Sequence, residues 1–581
     1  MKVISGLILS STAAITCSAG FASPVSPGQL QISTTSQSIG IEWAVSGDED
    51  HDATATVEYR LTGATVWKSG MNLVRVDSTN GNTLAGSIMF LQPASPYEVR
   101  IQLSDPDGGD GSESRTVSTL PIPARPSPVR TLHVIPGTGG GDGSTANPYR
   151  GIQAAWGQAQ PGDELLLHAG EYGAVTDDNG QSGGSGNPIV IRAAGDGDVI
   201  VSFVQVFRHS NLWFEGITFR SDGSSDTGFF SSLLNPGYDN GFQPMLSEIT
   251  NIVLTRNRFE GYKHSIRAGP RTSGWYIADN MIVGDKQLGI SGTESFDGEG
   301  IELGRGSNHE VAFNSITLVA DGVSFPLRNC DIYGNDIFDV TDDGIELDYG
   351  QANTRIWQNR IHNASHNGIA FQPQSGAPWY IIRNQVVNSQ ESIFKLRNAD
   401  RFVAVHNTFV NWSAVLDHWS HQLLRGITRN NLWISLNDGP IWRRSDGGMS
   451  WQTDLDYDGF DWGANSAPFD VNGTKYAGLN ELRAGTGLQL NGIQIDARDC
   501  LESLDVPGPP PLTTIPPQFM TISAACNAVD AGVSIPNLSD SFNGGAPDLG
   551  AYERGQPLPH YGVRSTVQTP RPRPPEDLVA E

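Results

Sequence analysis

An asparagine recurs at one position in eight short segments of the chain: TRNRF (255–259), ADNMI (278–282), AFNSI (312–316), YGNDI (333–337), WQNRI (357–361), IRNQV (382–386), VHNTF (405–409) and TRNNL (428–432). We take the recurring residues to be Asn257, Asn280, Asn314, Asn335, Asn359, Asn384, Asn407 and Asn430. A repeat of about 23 residues built from β-type segments is typical of a solenoid. Leucine-rich repeats would need a leucine framework that is absent, and helical repeats are longer. The sequence therefore predicts an all-β fold, a right-handed parallel β-helix in which the asparagines stack as an internal ladder.

One coil of this solenoid is longer than its neighbours. The step from Asn280 to Asn314 is 34 residues, whereas the next step, to Asn335, is 21. We expect an insertion before or within residues 292–300. Insertions in solenoid coils project as loops on one face, often the binding face.

The rest of the chain divides around the repeat. Residues 1–22 read as a secretory signal peptide, with Lys2 before an apolar run and small residues before Ser23. Residues 23–120 alternate apolar and polar positions in several short strands, which predicts a small β-sandwich acting as a spacer or as a glycan-binding module. A proline-rich linker at 121–130, the β-helix at 131–555 and a disordered tail at 556–581 complete the division. Residues 151–159 have helical periodicity and are expected to cap the first coil.

Composition limits the function. The chain has 581 residues, with 37 Lys and Arg against 63 Asp and Glu, a formal net charge of −26. Such a charge excludes a general nucleic-acid binder, because phosphate binding depends on Lys and Arg. No stretch after the signal is long enough to span a membrane. We expect a secreted or periplasmic monomer. Cys330 is expected to be a buried thiol, and Cys500 and Cys526 could form a disulfide in an oxidising compartment.

These features together resemble the secreted right-handed parallel β-helix proteins of bacteria, the pectate-lyase-like superfamily. The resemblance is carried by the cap helix followed by Pro161-Gly162-Asp163, by the asparagine coils and by the ending APDLGAYE (546–553). The run LQPASPYEV (91–99) resembles fibronectin type III modules. The superfamily includes polysaccharide lyases, glycoside hydrolases, uronate epimerases and adhesins, so the resemblance implies a carbohydrate-active protein without fixing a reaction.

Alignment of the coils predicts one outward face. The apolar pairs Ile301/Leu303, Val323/Phe325, Ile345/Leu347, Ile369/Phe371 and Phe394/Leu396 should point inward. The residues between them should point outward, in the order Glu302, Ser324, Glu346, Ala370, Lys395. The next outward positions are Gly304, Pro326, Asp348, Gln372 and Arg397. At ~4.8 Å per coil, Glu346 should lie about 10 Å from both Glu302 and Lys395.

Two reactions suit such a face. In a lyase, Glu302, Glu346 and Asp348 would bind Ca²⁺, Lys395 would remove the C5 proton of a uronate as the base, and Arg397 would hold its carboxylate. The segments DGEGIELG (297–304) and KLRN (395–398) are similar to the metal-proximal and basic coils of alginate and dermatan lyases. In a hydrolase, Asp342 and Asp343 with Glu346 or Asp348 would act as general acid and base.

Four further residues are predicted to contact substrate, and they are Arg267, Tyr349, His366 and Gln372. The preferred function is a polysaccharide lyase for an acidic, uronic-acid polymer. The alternatives are a glycoside hydrolase, an epimerase and a glycan-binding surface protein without catalysis.

Overall fold

The computed structural model describes residues 23–76, 82–231, 248–290, 292–372, 376–444, 450–506 and 514–565. The predicted signal peptide and the last 16 residues of the predicted tail, 566–581, lie outside this range. The fold is all-β, with a small antiparallel sandwich followed by a right-handed parallel β-helix. No helix among the described residues is long and apolar enough to cross a membrane.

The N-terminal unit consists of two four-stranded antiparallel sheets. One sheet contains Ser26–Thr34, Ile39–Ser46, Thr83–Ile88 and Val74–Val76. The other contains Lys68–Ser69, Thr54–Leu61, Pro96–Ser104 and Gly111–Ser118. Alternate residues of the long strands face a common core that includes Ile41, Trp43 and Val99, because successive side chains of a strand point to opposite faces.

The solenoid has three parallel sheets, and each full coil adds one strand to each. Sheet 1 contains Arg130–Ile135, Asp163–Leu167, Ile189–Ala193, Leu212–Glu215, Ile252–Thr255, Tyr276–Ala278, Glu310–Ala312, Asp331–Tyr333, Thr354–Trp357, Trp379–Ile382 and Phe402–Val405. Sheet 2 contains Ala174–Thr176, Phe203–Gln205, Thr227–Phe230, His264–Arg267, Glu299–Glu302, Asp321–Ser324, Ile345–Glu346, Asn367–Phe371, Ser392–Asp400, Trp442–Arg444 and Phe469–Val471. Sheet 3 contains Gly170–Glu171, Val199–Val201, Thr218–Arg220, Arg258–Glu260, Met281–Val283, Ser315–Thr317, Asp336–Val340, Arg360–Ala364, Gln385–Ser389, Thr408–Asn411, Leu432–Ser435, Gly459–Asp461 and Ile493–Gln494.

Shorter elements complete the coils. The long strand Ala414–Arg429 joins sheets 2 and 1. The remaining strands are Tyr149–Arg150, Ile249–Thr250, Thr272–Ser273, Ser450–Leu455 and Thr474–Tyr476. The helices are Ile152–Trp156, Leu479–Thr486 and Ala497–Cys500, with a 3-10 turn at Thr293–Ser295. Helix Ile152–Trp156 buries Ile152, Ala155 and Trp156 against the first coil, as the sequence predicts.

The asparagine ladder lies at the corner between sheets 1 and 3. In each rung the side-chain oxygen accepts hydrogen bonds from the backbone and side-chain N–H groups of the preceding rung, as in Asn314 to Asn335 at 2.9 and 3.0 Å. The ladder runs from Asn257 through Asn407, as predicted, but its last asparagine is Asn431. Asn430 instead donates to the Val533 carbonyl. The segment has two adjacent asparagines, so the sequence pattern alone did not distinguish the inward one.

The N-terminal unit is packed directly on sheet 1. The Ser36 N–H donates to Glu310 at 2.8 Å, and the Ser87 N–H donates to the Tyr380 hydroxyl at 2.9 Å. Arg355, which is completely buried, donates to Ser87 at 3.1 Å. A module held by buried polar contacts is a fixed part of the solenoid, whereas the sequence favoured a spacer.

The C-terminal segment covers sheet 3. A disulfide joins Cys500 to Cys526, and Cys330 is a buried free thiol. Tyr552 donates to Gln385 of sheet 3 at 2.9 Å. Residues 556–565, which the sequence assigns to a disordered tail, are packed, since Tyr561 is buried and Arg564 pairs with Asp279.

Candidate functional site

The outer face of sheet 2 has the register that the sequence predicts. Arg267 pairs with Glu302, Glu302 with Ser324, and Ser324 with Glu346. The row continues from Glu346 through Ala370 to Lys395. Carboxyl groups therefore occupy the middle of the row, with a basic residue at each end.

This face is outward but largely covered. Glu302 is completely buried and Lys395 is 6% exposed, while Glu346 is half-buried. Arg267, predicted to contact substrate, is buried and donates to Glu302 at 2.6 Å. The part of the row that a large ligand can reach is therefore centred on Glu346.

Two rims border the row. We call the side that precedes the strands the upstream rim; it comprises Phe296, Asp342, His366 and Glu391. We call the side that follows the strands the downstream rim; it comprises Arg305, Asp348, Tyr349, Gln372 and Arg397. Most residues of the two rims were predicted as site residues from the sequence. Phe296, Glu391 and Arg305 also lie on the rims but were not predicted.

The upstream rim is organised around His366. Its ring nitrogens lie 3.0 Å from Asp342 and 3.2 Å from Glu391, and 3.4 Å separates it from Asp343. Burial alone would lower the pKa of His366, but these carboxylates raise it to about 12. His366 is thus a fixed cation at neutral pH and cannot serve as a base there.

Asp343 has a structural place at the corner between sheets 3 and 2. It accepts from the Asn367 side chain at 2.8 Å, and its own N–H donates to Asp321 at 2.9 Å. Asn367 in turn accepts from Ser392 at 2.9 Å. Because Asp343 is buried in this second ladder, it supports the site and does not face it. Burial opposes ionisation, but Lys395, His366 and Asn367 hold the pKa of Asp343 below its usual value.

The carboxyl groups near the middle of the face all have raised pKa values. Burial and the neighbouring Asp348 raise the pKa of Glu346 well above its ordinary value. Burial and Asp343 raise the pKa of Asp348 to about 8. Burial and Asp343 raise the pKa of Asp342 to about 6. The carboxyl groups lie close together in a buried place with little positive charge nearby, so each one opposes the ionisation of the others.

The predicted metal ligands do not form one cluster. Within the described residues, Glu302, Glu346 and Asp348 do not bring their oxygens within 4.8 Å of one another, because the coil of Ser324 separates Glu302 from the other two. Glu302 groups with His264 and Glu299, where Arg267 already bonds to it. Glu346 and Asp348 remain together on one coil, and one oxygen of Asp348 is buried without a hydrogen-bond partner. The chemistry of this pair, with its excess of oxygen and negative charge, fits a hard cation such as Ca²⁺.

Lys395 faces these acids without pairing to any of them. Within the part of the chain that the structure describes, no carboxylate oxygen lies within 4.0 Å of its amino group. Burial lowers the pKa of Lys395, but attraction to Asp343, Asp342, Asp348 and Glu346 outweighs burial and raises it. A lysine that acts as a base needs a lowered pKa, so the direction of this shift opposes the role that the sequence predicts for Lys395.

The insertion forms part of the upstream rim, on the coil that the sequence predicts. It lies between Met281–Val283 and Glu299–Glu302, and Thr341 donates to the Ser295 carbonyl at 2.9 Å. Phe296 is 52% exposed, and its ring meets that of His366 edge to face, with centroids 5.5 Å apart. Trp275, Trp379 and Trp442 are buried in the core and so do not line this face. An exposed aromatic ring beside carboxyl groups was not detectable from strand periodicity, since it lies in the insertion.

The remaining predicted residues lie on the downstream rim. Tyr349 and Gln372 are half-buried, and Arg397 is exposed. The Gln372 N–H bonds to Asp348. All three therefore adjoin the acidic centre.

Comparison with known proteins agrees with this architecture. Residues 247–411 match the family model of the right handed beta helix region. One solved structure, the complex of XylC with xylose, is similar at 13% sequence identity with a TM-score of 0.34, and the match covers 57% of this chain and 74% of that chain. No curated protein matches the chain.

Proposed function

We propose that the outer face of sheet 2 cleaves a uronic-acid polysaccharide by β-elimination. The observation that carries the proposal is Lys395, a buried cation without an ion pair, in register with Glu346 and two coils away. Arg397, two residues further on, is exposed and also lacks a carboxylate partner within 4.0 Å among the described residues. In a chain of net charge −26, cations left unpaired beside one acidic centre suit an anionic ligand.

Lys395 would take the C5 proton of the uronate, and the electrons of that C–H bond would form a double bond between C4 and C5. The C4–O bond to the next sugar would break, and the departing oxygen would take up a proton from solvent. Glu346 and Asp348 would hold Ca²⁺, which compensates negative charge and withdraws electrons from the uronate carboxylate. Compensation of Glu346 and Asp348 removes two of the four carboxyl groups that raise the pKa of Lys395, whereas burial continues to lower it. Arg397 would orient the substrate carboxylate with its planar guanidinium.

The test is product analysis on polyuronates and neutral polysaccharides, with and without a chelator. A lyase gives the ultraviolet absorbance of an unsaturated uronate, and the chelator abolishes it. Lys395→Ala should lose turnover while its circular dichroism is unchanged, and Lys475→Ala, a change at an exposed lysine of the terminal hairpin, should keep full activity. Activity retained by Lys395→Ala would refute the assigned base.

A glycoside hydrolase is the second candidate, and the separation of carboxyl pKa values favours it. Burial and Asp348 raise the pKa of Glu346 well above its ordinary value, as suits a general acid, while burial and Asp343 raise the pKa of Asp342 only to about 6. Neighbouring carboxyls in opposite protonation states are typical of acid and base pairs. New reducing ends without ultraviolet absorbance would support this reaction, and Glu346→Gln should then abolish it. Binding without either product would leave a glycan-binding protein.

We also propose that the protein acts outside the cytoplasm. The disulfide between Cys500 and Cys526 supports an oxidising compartment, where such bonds persist. N-terminal sequencing of exported protein should give Ser23 as the first residue, and protein retained in the cytoplasm with residues 1–22 attached would contradict the proposal.

A further inference from the structure

Arg305 lies on the downstream rim, three residues after Glu302. Arg305 and Tyr349, on the coil of Glu346, have positive φ angles of 63° and 60°. A positive φ recurs at the corners of the coils, as at Phe325 on the coil between them, so both residues stand at corresponding turns of the solenoid.

The two side chains are stacked. The guanidinium carbon of Arg305 lies 4.4 Å from the centroid of the Tyr349 ring. One coil, that of Ser324, lies between the strand before Arg305 and the strand before Tyr349. The stack therefore bridges about 10 Å along the solenoid, from Arg305 on the coil of Glu302 to Tyr349 on the coil of Glu346 and Asp348.

Arg305 lacks an anionic partner among the residues that the structure describes. Throughout the described ranges, no carboxylate oxygen lies within 4.0 Å of its guanidinium, and its Nε is buried without a hydrogen-bond partner. Most other arginines of the solenoid, such as Arg220 with Glu260, are paired. A buried N–H donor without an acceptor is costly, so this donor is expected to find its acceptor in a ligand.

We propose that Arg305, stacked on Tyr349, binds the carboxylate of a second uronate residue in the substrate chain. This inference rests on the proposed function and extends it, because Lys395 and Arg397 would hold the uronate that reacts. Arg397 lies two coils beyond the level of Tyr349, about 10 Å along the axis. A carboxylate site at Arg305 and another at Arg397 would favour a polymer whose uronate residues lie close together over a polymer in which single uronates are widely spaced.

The planar fork of arginine suits this task, since it can donate two parallel N–H groups to one carboxylate. Tyr349 holds the fork in place through its ring, so the phenol oxygen is not required. A loss of Arg305 should weaken substrate binding more than the chemical step, because the second uronate is not the residue that reacts.

The experiment compares a polyuronate with its methyl ester for wild type, Arg305→Gln and Arg305→Lys. A hydrogen-bonded charge pair corresponds to about a tenfold or larger change in affinity, so Arg305→Gln should raise KM for the free acid by about tenfold and change kcat little. Arg305→Lys should recover part of the loss. The methyl ester should respond to none of these changes. Arg220→Gln, on sheet 3, is the matched control.

Binding is measured separately by retardation in gels containing the polyuronate. If wild type cleaves the polyuronate but Arg305→Gln has an unchanged KM and unchanged retardation, the role of Arg305 alone is overturned. Wild-type retardation by the polyuronate without any turnover would overturn the proposed reaction, and a loss of that retardation in Arg305→Gln would still support the subsite. Absence of binding to every polyuronate would overturn both.

Discussion

Glu310 joins the solenoid to the N-terminal sandwich, and its ionisation should control how firmly the two are held together. It is 5% exposed, accepts the Ser36 N–H at 2.8 Å and lies 3.4 Å from the Tyr333 hydroxyl. Burial and the neighbouring Asp331 raise its pKa to about 7, from an ordinary value of 4.5. The folded protein therefore prefers this carboxyl protonated.

The sign of the pH effect follows from that preference. Below about pH 4.5 the carboxyl is protonated in both the folded and the unfolded chain, so its ionisation does not lower the free energy of unfolding. As the pH rises to about 7 the unfolded chain ionises first, so stability is lost across this window and the loss is constant above it. A difference from 4.5 to about 7, at about 1.36 kcal/mol per pKa unit, corresponds to roughly 3 kcal/mol.

The perturbation is Glu310→Gln, which resembles the protonated carboxyl and cannot ionise. Urea unfolding followed by tryptophan fluorescence at about pH 5 and about pH 8 should show a smaller loss of stability in the variant, by about 2 to 3 kcal/mol. Glu171→Gln, at an exposed glutamate of sheet 3, should retain the wild-type pH dependence. Equal pH dependence in wild type and Glu310→Gln would refute the reasoning, because the buried carboxyl would then not be the titrating group.

Three further predictions concern the ladder, the rim and the disulfide. Asn359→Ala removes bonds to Asn335, Asn384 and the backbone in a dry core, and should lower the free energy of unfolding by about 2 kcal/mol or more in urea melts. Phe296→Ala should raise KM for the substrate by about tenfold, because a phenyl ring that the substrate buries contributes about 1.5 to 3 kcal/mol. Ile290→Ala, on the same insertion, should leave KM unchanged. An unchanged KM in Phe296→Ala would remove Phe296 from the site. Cys500→Ser should lower the free energy of unfolding by about 3 kcal/mol in urea melts under oxidising conditions. Under reducing conditions, which break the disulfide, wild type and Cys500→Ser should have the same stability.

The coil architecture was predictable because it depends on two local periodicities. The asparagine spacing defines the coil, and strict alternation along each strand defines which side chains point out. These two rules were enough to predict the register of Glu302, Glu346 and Lys395, as well as the coil with the insertion. Only the last rung differed, where Asn430 and Asn431 are adjacent.

Alternation could not predict what happens at the corners. Asp343 has the same parity as the inward Ile345, and nothing in a strand pattern indicates that it bonds along the axis to Asp321 and Asn367. The same holds for the pKa of Lys395, whose direction depends on four carboxyl groups from neighbouring coils. Contacts between the sandwich and sheet 1 were also out of reach, since Ser36 and Glu310 are 274 residues apart.

The placement of the terminal segments explains why the candidate site is on sheet 2. Sheet 1 is covered by the sandwich through Glu310 and Tyr380, and sheet 3 by the C-terminal segment through Gln385. Several charged residues under these coverings are paired, as Arg355 is with Asp331 at 2.8 Å. Around the acidic centre of sheet 2, by contrast, Lys395, Arg397 and Arg305 have no carboxylate within 4.0 Å in the described chain. Among the described residues, cations without a carboxylate partner thus adjoin the acidic centre of sheet 2, and this arrangement supports the proposed anionic ligand.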